Sequence, residues 1–218
     1  MDFKKMFSFL AALRENNNKE WFDAHRKEYA LIRQEAVDLT SELIAGISRF
    51  DPSVKDLEPS SCIFRINRDV RFSANKDPYK THIGIYVNKG GKKANTAGYY
   101  LHLEPQASFI AAGIYAPGPA ELATIRQEID YNLPDFLSVL QKPLFVKEFN
   151  ALQGEKLMRP PKGYDAENEA VEYLKFKSYI VTKKLNNKYL YQVKATQDLV
   201  QVFRLAHPLV AFLNTALG

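Results

Sequence analysis

The feature that most constrains this chain is a change in hydrophobic period. From Phe3 to Phe50 apolar residues recur at three- and four-residue spacing, and between Ser61 and Tyr115 they alternate with polar ones. After Pro117-Gly118-Pro119 the helical spacing returns. A side chain comes back to one face of a helix every 3.6 residues and to one face of a strand every two, so one stretch cannot serve both. Strands gathered between helical blocks predict an α+β fold, an antiparallel β-sheet meander of about five strands packed with N- and C-terminal helices.

Phe3, Met6, Phe7, Leu10 and Leu13 mark a first amphipathic helix that ends before Asn16-Asn17-Asn18. A long helix follows, with Asn17 and Glu20 as a capping-box-like start, one stripe running from Trp21 and His25 through Ile47, and Asp51-Pro52 as its stop. The expected strands are Cys62 to Arg68, His82 to Asn88, Tyr99 to Glu104, Ala107 to Tyr115 and, later, Tyr179 to Leu185. Asn88 to Gly98 reads as a flexible loop carrying Lys89, Lys92 and Lys93. Further helices pass through Leu122, Ile125 and Ile129 and through Phe136, Leu137 and Leu140. A short helix covers Glu167 to Phe176, and Thr196 to Leu217 closes the chain. Without repeats, low-complexity tracts or a linker, residues 1–218 read as a single α+β domain.

A chain of 218 residues buries about 70% of its unfolded surface and needs no staples. Its one cysteine, Cys62, excludes an intramolecular disulfide and a four-cysteine zinc knuckle, which fits a reducing compartment. Lys4-Lys5 and the apolar run after them imitate an export signal, but Arg14, Glu15 and three asparagines follow in place of a small-residue cleavage site. No other apolar run reads as a membrane span. A cytoplasmic protein without membrane contact is expected. The formal net charge of +5 favours anionic partners where cations cluster.

They cluster once. Arg65, Arg68, Arg71, Lys76 and Lys80 outnumber the anions among them, Asp69 and Asp77, with Phe72 and Tyr79 interleaved. Guanidinium forks bind carboxylates and phosphates bidentately, so this density suits an anion pocket or a nucleic-acid face. The competing structural reading is an Arg–carboxylate network along a strand edge. Strict alternation puts Phe64 and Ile66 on the core face and Arg65 and Asn67 on the other, together with His82, Tyr86, Tyr100, His102 and Glu104. That set can bind an anion and move a proton, with His82, His102 and Glu104 as catalytic candidates. The ligand-binding candidates are Arg65, Asn67, Arg68, Asp69, Arg71, Lys76, Lys80, Tyr86 and Tyr100. No metal is expected at His82, His102 and Glu104, because an HExxH spacing is absent and the arginines would repel a cation. His25 and His207 read as structural. Neither Cys62 nor Ser73 sits in a nucleophile motif, Gly90-Gly91-Lys92 lacks the rest of a phosphate loop, and no GxGxxG turn occurs, so no cofactor is expected.

Assembled, these motifs resemble a family of conserved proteins catalogued as domain of unknown function 2461. The resemblance rests on Asn18-Lys19-Glu20-Trp21-Phe22, on Phe64-Arg65-Ile66-Asn67-Arg68-Asp69-Val70-Arg71-Phe72-Ser73, and on Pro78-Tyr79-Lys80-Thr81. Gly98-Tyr99-Tyr100-Leu101, Pro160-Pro161-Lys162-Gly163-Tyr164-Asp165 and His207-Pro208-Leu209 complete it. It implies a bacterial-type cytosolic α+β protein and marks Arg65, Arg68, Asp69, Arg71, Lys76 and Lys80 as signature positions. It brings no substrate, cofactor or reaction. The residues themselves favour a site for a small phosphate- or carboxylate-bearing ligand. A nucleic-acid-binding module, and an interaction domain with an internal arginine network, are the alternatives.

Overall fold

The computed structural model describes residues 2–218. Helix α1 (Phe3–Glu15) starts where the Asp2 side chain accepts the Lys5 amide, and it buries Phe3, Met6, Phe7, Leu10 and Leu13, the stripe that the spacing predicts. The expected long second helix is broken into α2 (Lys19–Ala24), capped by Asn18, and α3 (Arg26–Ile47). The break falls at His25, whose ring stacks on Trp21 at 3.9 Å and whose Nδ1 lies 2.8 Å from the Trp21 carbonyl.

The expected strand Cys62 to Arg68 does not form. Pro59 opens a short helix, α4 (Pro59–Cys62), and among the described residues the chain from there to His82 shows strand-like pairing only as isolated bridges, Ile63 with Ile85 and Asn67 with Tyr79. Between Cys62 and Arg68 the buried residues are Cys62, Ile63 and Ile66, and Ile63 and Ile66 are three apart, a spacing that one strand face cannot present. The segment instead folds back on itself, with the Arg68 amide on the Pro78 carbonyl at 2.9 Å and the Lys80 amide on the Ile66 carbonyl at 2.8 Å.

The meander follows: β1 (Ile83–Asn88), β2 (Gly98–Leu103) and β3 (Phe109–Ile114), then helices α5 (Pro119–Tyr131), α6 (Leu133–Leu140), α7 (Pro143–Phe149) and α8 (Val171–Leu174) before β4 (Tyr179–Lys184). The four strands lie in the order β1-β2-β3-β4, each pair antiparallel. Two more helices, α9 (Asn187–Leu190) and α10 (Ala195–Leu217), end the chain. The fold is therefore α+β, with one antiparallel sheet and helices at both ends.

Ile83, Ile85, Val87, Tyr99, Leu101, Leu103, Ile110 and Val181 turn one sheet face into the hydrophobic core, where α10 lies against β3 and α3. By length and hydropathy α10 would suffice to cross a membrane, contrary to the sequence expectation, yet Leu199, Val202, Phe203, Leu209 and Leu213 on its inner side are core residues. A polar pin crosses the same core. The Tyr99 hydroxyl donates to Asp51 Oδ2 at 2.9 Å and meets His207 Nδ1 at 2.8 Å, tying β2 to the end of α3 and to α10. Because the Asp51 carboxylate only accepts, the Tyr99 proton is committed to it and His207 supplies the second hydrogen bond through Nδ1–H. His207 is thus structural, as its sequence context implies.

Candidate functional site

The opposite face of the sheet carries the site. Tyr86 faces Tyr100, Gly84 faces His102, and across the next pair Tyr100 faces Ala111 and His102 faces Phe109. Since side chains two residues apart share a face, His82, Tyr86, Tyr100 and His102 meet on this surface, with Glu104 just beyond the end of β2. A cavity of about 640 Å³ opens above it. Its floor is Tyr86, Tyr100, Phe109, Ala111 and Thr182, and its walls are Phe64 on one side and Tyr115 to Pro117 on the other.

Phe64 is where the expected alternation fails. It does not anchor the core. Its ring stands edge-on to Tyr100 at 6.2 Å and forms a cavity wall, whereas Arg65 and Asn67 are exposed and lie outside the lining. The cationic groups at the cavity are lysines. Lys80 and Lys92 lie over the Phe64 ring, 5.5 and 5.9 Å from its centre, and donate to the Arg65 and Ile63 carbonyls at 2.9 and 2.7 Å. Burial, then the neighbouring Arg65 and Lys92 charges, pull the Lys80 ammonium below its ordinary pKa, and burial does the same to Lys92. The loop from Asn88 to Gly98, read from sequence as flexible, is tied down. The Tyr86 hydroxyl donates to the Thr96 carbonyl at 2.8 Å, Asn88 Nδ2 donates to Thr96 Oγ1 at 2.8 Å, and Asn95 reaches Glu121 of α5 at 2.6 Å.

A connected polar chain starts at Tyr100 on the floor and leads away from the cavity. The Tyr100 hydroxyl lies 3.0 Å from His102 Nδ1, His102 Nε2 lies 3.0 Å from Glu104 Oε2, and Thr81 Oγ1 donates to Glu104 Oε1 at 3.1 Å. A carboxylate only accepts, so Nε2 carries the proton and Nδ1 of the neutral ring accepts from Tyr100. Phe109 stacks on the His102 ring at 4.6 Å and fixes its plane. Burial, with a further contribution from Glu104, pushes the Tyr100 phenol up to about 12, which keeps it a hydrogen-bond donor near neutral pH. His82 sits 4.2 Å from His102, ring centre to ring centre, and burial first, then that neighbour, holds it at about 4. Chemically, the chain can pass a proton between the cavity and Glu104. The ligating atoms of His82, His102 and Glu104 also lie within 4.8 Å of one another, a spacing that one cation can bridge.

The structure scatters the rest of the expected anion site. Arg71 grips Asp69 bidentately, at 2.9 and 2.6 Å, in an exposed pair, and that grip lowers the Asp69 pKa. Arg68 donates to the Asp77 carbonyl and to Ser73 Oγ, and Lys76 to the Val70 carbonyl. These three cations brace their own loop. Cys62 is buried with its thiol pKa raised by that burial, which fits its lack of a nucleophile motif. Sequence reasoning passed over Phe109 and Thr81. The tight turn at Pro105-Gln106 already sets the hairpin register that puts Phe109 beside His102, and Thr81 closes the motif Pro78-Tyr79-Lys80-Thr81.

Fold and site together define a one-sheet α+β protein whose core lies on one sheet face and whose cavity lies on the other. The family is shown by sequence comparison: residues 5–212 match the model of the conserved hypothetical proteins of DUF2461, and the chain belongs to that family. Comparison with curated proteins gave no match, and comparison with solved structures gave none.

Proposed function

We propose that the protein binds a small ligand with an apolar body and a phosphate or carboxylate group in the cavity above β1–β3. The observation that carries this reading is the cavity's composition: Phe64, Phe109, Ala111 and Ile180 offer apolar contact, while Lys80, Lys92 and Lys93 supply positive charge. Pockets of this size hold drug-sized molecules, and a few placed polar groups within apolar walls fix their orientation. Lys80 and Lys92 are partly desolvated, so an incoming anion would recover interaction that water no longer provides. The exposed Arg65 adds potential beside Lys80.

Thermal unfolding against a panel of inorganic phosphate, phosphorylated metabolites and apolar carboxylates tests the reading. A ligand at 100 times its Kd adds about 2.7 kcal/mol, which for a chain of this size raises Tm by about 5–10 °C. The rise is expected to vanish in the Lys80→Ala/Lys92→Ala double variant and to persist in Arg71→Ala. No rise with any anion, or a rise retained in the double variant, would sink it.

One observation favours a second reading, single-stranded nucleic acid. Phe72 is 97% exposed on the arginine loop with the Arg71 guanidinium 5.9 Å from its ring, an arrangement open to base stacking. It requires binding at about 50 mM salt that weakens steeply as salt rises and is lost in Phe72→Ala.

A further inference from the structure

We propose that His82, His102 and Glu104 form a binding site for a divalent first-row transition ion, with open coordination positions on the side where His82 lines the cavity. Two imidazoles and one carboxylate are a donor set for Zn2+, Fe2+ or Co2+ and not for the oxygen-seeking Mg2+ and Ca2+. The three ligating atoms lie within 4.8 Å of one another, and His102 Nε2 is 3.0 Å from Glu104 Oε2. Donors about 2.1 Å from a shared ion lie roughly 3 to 4 Å apart, so small side-chain rotations suffice.

The surroundings are those of a metal site. Ligating histidines and carboxylates are held by hydrogen bonds at their far atoms. Here Tyr100 holds His102 Nδ1, Thr81 holds Glu104 Oε1, and Phe109 fixes the imidazole plane. Glu104 makes its one salt-bridge contact among the described residues with His102, so no lysine or arginine competes for the carboxylate. The electrostatic objection raised by the sequence is also reduced. Arg71 is paired with Asp69, Arg68 and Lys76 are anchored on their own loop, the exposed Arg65 lies outside the cavity lining, and the Glu104 carboxylate supplies a counter-charge to the ion while Lys80 is held on the Arg65 carbonyl.

Coordination has a defined effect on the hydrogen bonds. When Nε2 gives its lone pair to the ion, the ring proton moves to Nδ1, which donates to the Tyr100 oxygen. The imidazole keeps its proton count, and the Tyr100 O–H becomes free to donate into the cavity.

The test uses the full, tag-free chain stripped with chelator and titrated with Zn2+ alone by calorimetry and with Co2+ alone by visible absorption. One ion per chain and the ligand-field bands of a nitrogen–oxygen site are expected. His82→Asn and Glu104→Gln should each weaken Zn2+ binding by at least about 100-fold, and the near-isosteric Tyr100→Phe and Thr81→Val by about 10-fold. His25→Asn should leave it unchanged. Absence of saturable binding by the wild-type chain would overturn the proposal, as would affinity unchanged in all four site variants. The isosteric pair keeps the question readable if a ligand variant does not fold. The ion site does not rest on the anion reading: the Lys80→Ala/Lys92→Ala variant should still bind one Zn2+, so either proposal can fail without the other.

Discussion

Gly84 makes room for the Tyr100 end of the polar chain. A Cβ there would lie 2.8 Å from the Tyr100 hydroxyl and 3.2 Å from the Phe64 ring, so the missing side chain lets both aromatic groups lean over β1. Gly84→Ala is expected to fold with strand pairing intact, to displace Tyr100 from His102, and to cost about 1–3 kcal/mol by overpacking. Urea unfolding reads the cost and the imidazole nitrogen shifts of His102 read the displacement; an unmoved His102 signal would refute it. His207 gives the pH dependence its sign. Burial lowers its pKa, and the Asp51 charge offsets this only in part. As pH falls, the unfolded chain therefore takes up this proton first, so the contribution is complete above about pH 6.5 and is lost as the pH drops through that value and then through the folded one. His82, held at about 4, acts in the same direction. Urea midpoints of the chelator-treated protein should fall on acidification from neutrality, and His207→Asn should flatten part of that slope.

Between elements, the most consequential contact joins the α1–α2 turn to the arginine loop. Asn17 Nδ2 donates to the Tyr79 carbonyl at 3.0 Å, its Oδ1 accepts the Tyr79 amide at 3.1 Å, and Phe22 stacks on the Tyr79 ring at 4.1 Å. The side-chain amide thus stands in for a strand partner where the sheet supplies none. Asn17→Ala leaves two partly buried main-chain groups unpaired and should cost about 1–3 kcal/mol, with faster hydrogen exchange at Tyr79 and its neighbours as the local readout. Unchanged exchange there would show that Phe22 alone holds the loop. This contact also explains which elements are legible in the sequence. Period two runs through β1 and β2, and β3 and β4 read as short apolar and β-branched runs between turn residues, so all four positions are legible. From Ile63 to His82 the order comes from scattered main-chain bonds and from single side chains pairing with distant main chain, and no local periodicity records that.

At the scale of the molecule, two consecutive tyrosines divide the labour of the sheet. Tyr99 is buried and pins the core through Asp51 and His207, whereas Tyr100 faces the cavity. Tyr99→Phe leaves a buried carboxylate short of a donor and should cost about 1–3 kcal/mol, while Tyr100→Phe should cost less than about 1 kcal/mol. Equal losses in chemical denaturation would contradict the division. The meeting of His82, Tyr86, Tyr100 and His102 is legible because alternation and register are properties of the whole meander. The arginines are not, because loop side chains settle on whichever carbonyl or carboxylate lies within reach, and no spacing records that Arg68, Arg71 and Lys76 turn back on their own loop.

The adjacency of these two tyrosines also limits how the gene can change. Inserting or deleting one codon within β2 would exchange its two faces, carrying the Asp51–His207 partner into the cavity and the His102 partner into the core in a single step. Length changes that restore the face, by pairs of residues or by a compensating bulge, are therefore the ones this strand can survive.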